Sequence, residues 1–392
     1  MYNRILKIPP HLPIILMGPR QTGKSTFLRN FLKNQKVFYV DLLVNEIYRR
    51  YEKDPDQLKD EILFKLKNEK ITHVVIDEVQ KVPDILNVIH ALIEKKLSIQ
   101  IILTGSSARK LKKVKANFLG GRAILLKMFP FTYGEIENDF QLDSFLQFGS
   151  ICGIFDGLSE DKETKILKLK SYYETYVKDE VLSEGLIRQL PPFHRFLDLT
   201  AHLATEIVSF ANIAREAHVA ENTIKNYYQI LEETYLGFFL PAYDVALKRS
   251  LSLHPKFYFF DNGLNNCMAE RLRDPLSPEI KGKLFEQWII NEVRMYLSYH
   301  NKEGTLYFWR TQGGHEVDLI YSKGHKLKLA IEIKFKKNLE RKDFSGLNKI
   351  KEDYPKLECI LIYNGPNSYE DENNNVVVLP WKEFLTERLK LL

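Results

Sequence analysis

Within eight residues, Gly18-x4-Gly23-Lys24-Ser25 brings together two glycines, an amine and a hydroxyl. Such a set can wrap a chain of phosphates. The glycines let backbone N–H groups turn inward, the amine neutralises the outer phosphates, and the hydroxyl holds Mg²⁺. Pro19, Arg20, Gln21, Thr22 and Thr26 belong to the same cradle. A second set, Asp77-Glu78, can supply a carboxylate to the Mg²⁺ shell (Asp77) and one that polarises an attacking water (Glu78). A third lies far downstream: Glu286, Asp318 and Glu332-x-Lys334 offer three hard oxygen ligands and one cation. That chemistry suits Mg²⁺ or Mn²⁺ beside a phosphate, with Lys334 placing water and offsetting charge at phosphorus.

Each set needs elements that hold it. The apolar run Leu12 to Met17 leads into the glycine loop, and Phe27, Leu28, Phe31 and Leu32 follow at helical spacing. Strand, loop and helix are the context a phosphate cradle requires, with the positive helix end facing the anion. Asp77-Glu78 closes a second apolar strand, His73 to Ile76, at the carboxyl edge where parallel sheets bind ligands. A third strand, "IQIILTGSS", ends in Thr104, Ser106 and Ser107, and Ser106 is placed to sense a terminal phosphate. Arg122, after two glycines, is a candidate to stabilise charge on the transferred phosphate, in its own subunit or a neighbour's.

In the third set, Glu286 has Ile289, Ile290 and Val293 at +3, +4 and +7 of a helical pattern, so it lies on an apolar stripe. Strand alternation sets Glu332 and Lys334 opposite Ile331, Ile333 and Phe335, and Asp318 opposite Val317 and Leu319. "SKGHK" is the turn between the two strands. Three converging carboxylates would repel one another, so at least one is expected to hold its proton unusually tightly. The same alternation also suits a half-exposed hairpin with no chemistry.

A chain of 392 residues implies two to four domains. The apolar share of 44% and charged share of 28% are those of a water-facing globular protein, and a net charge of +6 permits nucleic-acid binding without demanding it. Cys152, Cys267 and Cys359 are far apart, which fits neither a disulfide framework nor a zinc site. No apolar run approaches the ~20 residues of a membrane span, and Pro9-Pro10 interrupts the start, so a cytoplasmic protein is expected. Between the sets the pattern is helical from Ser144, Tyr172, Tyr173 and Tyr176 included, until Pro191-Pro192 interrupts it. Ala211 to His218 and Glu221 to Thr234 then have helix-turn-helix proportions. The second of these carries Glu221, Glu232 and Glu233 against Lys225, a poor match for phosphate. The basic run 108–117 reads as a solvated face or a polyanion contact.

"GPRQTGKST", "VVIDEVQKVPDIL", "LTGSS", "GGRA" and "FPFTYGE" together resemble AAA-superfamily P-loop ATPases of bacteria and archaea, and among them predicted ATPases with a carboxyl-terminal domain of unknown function. A second-region arginine pair typical of hexameric motors is missing from this pattern, which leaves ring formation open. Glu286, Asp318 and Glu332-x-Lys334, with "QGGHEVDLI" and "AIEIKFKK", resemble the restriction-endonuclease-like superfamily. These resemblances imply an α/β chain in four parts: a P-loop parallel-sheet ATPase domain (1–143), a helical lid (144–194), a winged helix (195–255) and a mixed α/β restriction-endonuclease-like domain (256–392). They imply ATP with Mg²⁺ at the first site, Mg²⁺ or Mn²⁺ at the last, and DNA or RNA as substrate class, and they are compatible with a homo-oligomer while leaving the oligomeric state open. The alternative is an ATP-controlled switch or scaffold whose last domain binds without cutting.

Overall fold

The computed structural model describes residues 2–107, 121–155, 161–177, 190–243, 254–324 and 326–392. The basic run 108–117 lies outside them, as do residues 178–189 and 244–253. The amino-terminal module is built on β1 (Ile14–Met17), α1 (Lys24–Phe31), β2 (Val37–Asp41), α2 (Asn45–Lys53), α3 (Gln57–Glu69), β3 (His73–Asp77), α4 (Ile85–Glu94), β4 (Gln100–Gly105) and β5 (Ile124–Lys127). The strands run in the order β2-β3-β4-β1-β5, every pair parallel. Their apolar runs are continuous because both faces are covered. Ile15 and Met17 pack with α3 and α4, while Ile14 and Leu16 pack with Leu28 and Leu32 on the other side. The carboxyl ends of β1, β3 and β4 therefore meet along one edge.

The middle module comprises α5 (Leu142–Phe148), α6 (Lys162–Tyr172), α7 (Leu190–His202), α8 (Phe210–Ala217), α9 (Glu221–Glu233), the hairpin β6 (Gly237–Leu240) and β7 (Lys256–Phe259), and α10 (Asn262–Met268). Pro191 and Pro192 lie in the first described turn of α7, and the residues before Leu190, where the expected interruption falls, lie outside the described residues. The helix pair α8 and α9 matches its expected place, with Ser209 accepting a hydrogen bond from Asn212 N to start α8. The expected boundaries at 194 and 255 fall inside one core. Ile154, Ile166, Phe193, Phe196, Ile224, Tyr228, Phe257, Phe259 and Leu264 are all buried together, so lid and helix pair cannot be separate units.

The carboxyl-terminal module opens with the 22-residue α11 (Pro278–Tyr299), capped by Ser277 with proline in its first turn. It continues through β8 (Thr305–Arg310), β9 (Glu316–Lys323), β10 (Lys326–Lys334), α12 (Ser345–Asp353), β11 (Glu358–Tyr363), β12 (Tyr369–Asp371), β13 (Val376–Pro380) and α13 (Trp381–Thr386). The sheet order is β12-β13-β11-β10-β9-β8. β8, β9 and β10 form an antiparallel meander, and β10, β11 and β13 are parallel. α11 packs on one face with Leu319, Ile331 and Ile333; α12 packs on the other with Val317, Ile320 and Ala330. Val317 thus leaves the face it was expected to share with Leu319, in line with the irregular register opposite it between Tyr307 and Trp309. Among the described residues no helix is long and apolar enough to cross a membrane.

α11 also joins modules. Its Met295 and Tyr299 enter the core beneath β1, and Glu292 accepts from Tyr133 N (2.8 Å) and Trp288 Nε1 (3.0 Å). Burial pushes the Glu292 carboxyl up to about 8. The folded state therefore binds a proton that the unfolded chain, with an ordinary carboxyl value, has already released. This stabilisation is complete at low pH and is lost as pH rises toward 8. Glu292→Gln keeps the acceptor oxygen and removes the titration. Thermal melts should show it near wild type at pH 5 and more stable by on the order of a few kcal/mol at pH 8.5.

Candidate functional site

At the carboxyl edge of β1 the chain turns sharply into α1. Gly18 lies so close to Met128 that a Cβ there would meet its carbonyl oxygen at 2.1 Å. Gly23 takes the left-handed region (φ 86°) that a side chain resists, immediately before the helix. Thr22 Oγ1 donates to Pro19 O (2.8 Å), and Lys24 Nζ donates to Gly18 O (2.7 Å) and Pro19 O (2.8 Å), so the loop curls round its own lysine. The first N–H groups of α1 have no carbonyl inside the helix and are available to an anion.

The acidic pair meets this loop. Ser25 Oγ donates to Asp77 Oδ2 at 2.9 Å, and Tyr39 OH and Thr104 Oγ1 also donate to Asp77. Glu78 occupies the left-handed region (φ 59°), which turns its side chain out of the strand toward β4. Ser106 Oγ donates to Glu78 Oε2 at 3.0 Å, and Gln80 bonds both Glu78 and Ser106. Lys24, Ser25, Asp77, Glu78 and Ser106 thus form one connected edge. Arg122 does not join it. It precedes Ile124, which pairs with Ile14 at the opposite end of β1, and it is ion-paired with Glu94 at the end of α4. A four-residue strand, roughly 13 Å, separates it from the loop.

Beside Gln21, Gly23 and Phe27 lies a cavity of about 770 Å³ whose other walls are Tyr2, Arg4, Phe131 and Phe155. Tyr2, Phe131 and Phe155 stack edge to face at 5.0 to 5.8 Å. Arg4 forms its floor and is buried. Its guanidinium donates to Thr22 O (2.8 Å), Phe129 O (2.7 Å), Tyr299 OH (2.9 Å), Cys152 Sγ (3.0 Å) and Glu135 Oε1 (3.0 Å). Burial alone would loosen its proton, but Tyr299, Cys152 and Glu135 hold it above the ordinary guanidinium value.

Of the third set, Asp318, Glu332 and Lys334 come together in the carboxyl-terminal module. β9 and β10 pair as far as Leu319 with Ile331. One step further, Asp318 faces Glu332 as the strands part, and Asp318 Oδ2 accepts from Ile333 N (2.8 Å) in place of a backbone carbonyl. Both residues are buried. Lys334 donates to Glu332 Oε1, while Glu332 Oε2 is buried with no hydrogen-bond partner. Burial drives the Glu332 carboxyl well above the carboxylate range, and Asp318 and Glu286 add to this. Burial works against the Lys334 charge, yet Asp318 and Glu332 hold its proton above the usual ammonium value.

Glu286 is held differently. Its Oε1 accepts from Tyr258 OH (2.6 Å) and Lys256 Nζ (3.2 Å), both on β7 of the middle module. Burial pushes its carboxyl up to about 7, against the pull of Lys256. Among the described residues no three His, Cys, Asp or Glu side chains stand close enough to enclose one ion. Two lysines lie among these carboxylates instead. The hard oxygens of Asp318 and the unpartnered Glu332 Oε2 suit a divalent cation; Glu286 is occupied. Lys256, Tyr258 and Arg4 were missed by sequence reasoning, and each acts across modules with no motif round it.

A parallel sheet with a phosphate-type loop, joined to a mixed sheet with an acidic edge, defines a P-loop module coupled to a second, carboxylate-bearing one. Residues 10–137 match the family model of an AAA domain, residues 281–384 that of a domain of unknown function (DUF4143), and residues 140–274 that of another (DUF8612). The last of these coincides with the single middle core. Similar curated proteins include an uncharacterized protein of Mycobacterium tuberculosis, 23% identical over 95% of this chain and 81% of its own. Others are an uncharacterized protein of Haemophilus influenzae, 22% identical over 88% and 87%, and one of Methanocaldococcus jannaschii, 22% identical over 97% and 88%. Among solved structures, domain III of the Thermotoga maritima replication initiation protein DnaA aligns with a TM-score of 0.24 and 17% identity, over 42% of this chain and 78% of that one. The AAA match and the all-parallel sheet make the amino-terminal module a P-loop ATPase-type domain.

Arg4→Met keeps the length of the side chain and removes its charge and donors. It leaves Glu135 buried without its partner, so urea denaturation should show a loss of about 3–5 kcal/mol. Wild-type stability in Arg4→Met would contradict a junction held by the Arg4 guanidinium.

Proposed function

We propose that the chain is a Mg²⁺-dependent ATPase whose nucleotide cycle is coupled to a carboxyl-terminal, nuclease-like module acting on DNA or RNA. The observation that carries the first half is the Ser25–Asp77 hydrogen bond at the foot of the loop. It joins the hydroxyl and the carboxylate that a phosphate-bound Mg²⁺ would share. When bound there, Mg²⁺ would draw charge from the phosphates. Lys24 would exchange the Gly18 and Pro19 carbonyls for phosphate oxygens. Glu78 would take a proton from the attacking water, and its contact with Ser106 links that base to the strand that senses the terminal phosphate. The aromatic cavity beside Gln21 and Phe27 has room and rings for the adenine. Arg122, at the far edge of its own sheet, would reach phosphates only as a neighbour's arginine in a homo-oligomer.

For the second half, Asp318 opposite Glu332, with Lys334 adjacent, supports a hard-metal site for Mg²⁺ or Mn²⁺; Glu286 of α11, expected as a third ligand, is held instead by Lys256 and Tyr258. When bound there, the ion would activate water and polarise a phosphodiester. Lys334, held charged, would position that water and offset charge on the phosphate. A second reading, an ATP-controlled switch or scaffold, is favoured by one observation: the carboxylates already hold Lys256 and Lys334.

ATPase and nuclease assays run in parallel, with Mg²⁺ and Mn²⁺ on single- and double-stranded substrates, separate the two. Lys24→Ala should abolish ATP turnover and weaken nucleotide binding at least about tenfold. Glu78→Gln should bind ATP normally yet turn it over about 100-fold more slowly. Unimpaired hydrolysis by Lys24→Ala would refute the phosphate-loop assignment. Asp318→Asn should remove cleavage and metal-dependent stabilisation while leaving ATP hydrolysis intact, because the sites lie in different modules. A wild-type protein that hydrolyses ATP and cuts none of the substrates would favour the switch.

A further inference from the structure

Lys256 stands where a cation would be expected to serve a carboxylate cluster. It rises from β7, where its backbone pairs with Leu240, and its side chain is only 4% exposed. Its ammonium lies 3.2 Å from Glu286 Oε1 on α11 and 2.5 Å from Glu316 Oε1 on β9. Phe308 closes the apolar side, with its ring 5.6 Å from the nitrogen. Tyr258, two residues along and on the same face of β7, donates to the same Glu286 oxygen. Two carboxylates from two elements of one module are therefore bridged by an amine from another. Burying such an ammonium is costly, and an apolar residue of similar size would often serve stability as well or better. The neighbouring Glu332 Oε2, in contrast, is buried without any partner. Glu286 and Glu316 share one buried ammonium, whereas Lys334 answers only one oxygen of Glu332 and leaves the other bare.

We propose that Lys256 is a resident cation supplied by the middle module, which takes the place of a second metal ion between Glu286 and Glu316. The acidic edge then binds one divalent ion, at Asp318 and Glu332. This rests on the reading of that pair as an ion-binding site. Glu286 belongs to Lys256 rather than to the ion, and the middle module completes the charge of the site. A compact divalent ion carries twice the charge of an ammonium, so removing Lys256 should open a second position of hard oxygen ligands.

The test uses the full chain without nucleotide, with bound Mn²⁺ counted by electron paramagnetic resonance and melting followed with and without Mn²⁺. Wild type should bind one ion that Asp318→Asn loses. Glu286→Gln, a mild change, should keep that ion with affinity within about threefold of wild type. Lys256→Met should take up a second ion, or hold its ion about tenfold more tightly, and gain more melting temperature from Mn²⁺ than wild type does. Lys256→Arg, which keeps the charge, should behave as wild type. Two ions bound by wild type would overturn the proposal. So would loss of the ion in Glu286→Gln as complete as in Asp318→Asn, or Lys256→Met showing no added ion and no added stabilisation. If Lys256→Met is unfolded with and without Mn²⁺, the wild-type and Glu286→Gln counts decide. An ion taken up by Lys256→Met but not by wild type would overturn the Asp318–Glu332 reading and leave Lys256 in its assigned role. No ion in either would overturn both.

Discussion

The guanidinium of Arg4 is buried where no single module could satisfy it. Its five donors reach the phosphate-type loop through Thr22, the segment after β5 through Phe129 and Glu135, the middle module through Cys152, and α11 through Tyr299. An isolated buried charge would cost far more than the chain's whole stability, so all of these partners must be present together. That requirement fixes the amino-terminal segment against the loop and shapes the cavity beside it. It also explains why the modules share cores: Met295 and Tyr299 of α11 pack with Ile14 and Leu16 of β1, and Phe131 and Tyr133 pack with Trp288.

Charge is handled similarly elsewhere. Asp261 is fully inside the middle module, where it accepts from Ser150 N (2.7 Å) and Leu264 N (3.0 Å), and burial pushes it up to about 6. Gly149 must lack a side chain there, since a Cβ would meet Asp261 Oδ1 at 2.1 Å. These carboxylates anchor chain turns with backbone donors and need no metal. The acidic edge of β9 and β10 differs because lysines balance only part of it. Asp261 has both oxygens answered by N–H groups, whereas Glu332 keeps one bare buried oxygen.

How much of this could be read from the sequence follows from how local each feature is. The phosphate-type loop lies within eight residues, between a strand and a helix whose apolar patterns are unambiguous, and the structure builds it there. The convergence of Asp318, Glu332 and Lys334 was also legible, because strand alternation and one short turn decide it. That Arg122 stands away from the loop of its own subunit could also have been read from the sequence. A residue just before a strand lies at the amino edge of a parallel sheet, and ligands gather at the other edge. Arg4, Lys256 and the single middle core were not legible. Arg4 meets partners 18 to 295 positions away, and Lys256 meets Glu286 across 30. Such contacts leave no period or motif, and the helix and hairpin patterns between 190 and 259 are equally compatible with two small units.

α11 has a history written into its length. Glu286 near one end meets β7, and Tyr299 at the other meets Arg4, 13 residues or about 20 Å along a straight helix. Between them, Trp288 and Glu292 grip the segment after β5 through Phe140 and Tyr133. A recombination that swapped in a foreign carboxyl-terminal module would have to bring a helix with the same three grips at the same spacing. Drift in any one grip obliges matching drift in a different module. Lineages of this chain should therefore descend by vertical co-variation along α11 rather than by the shuffling of interchangeable parts.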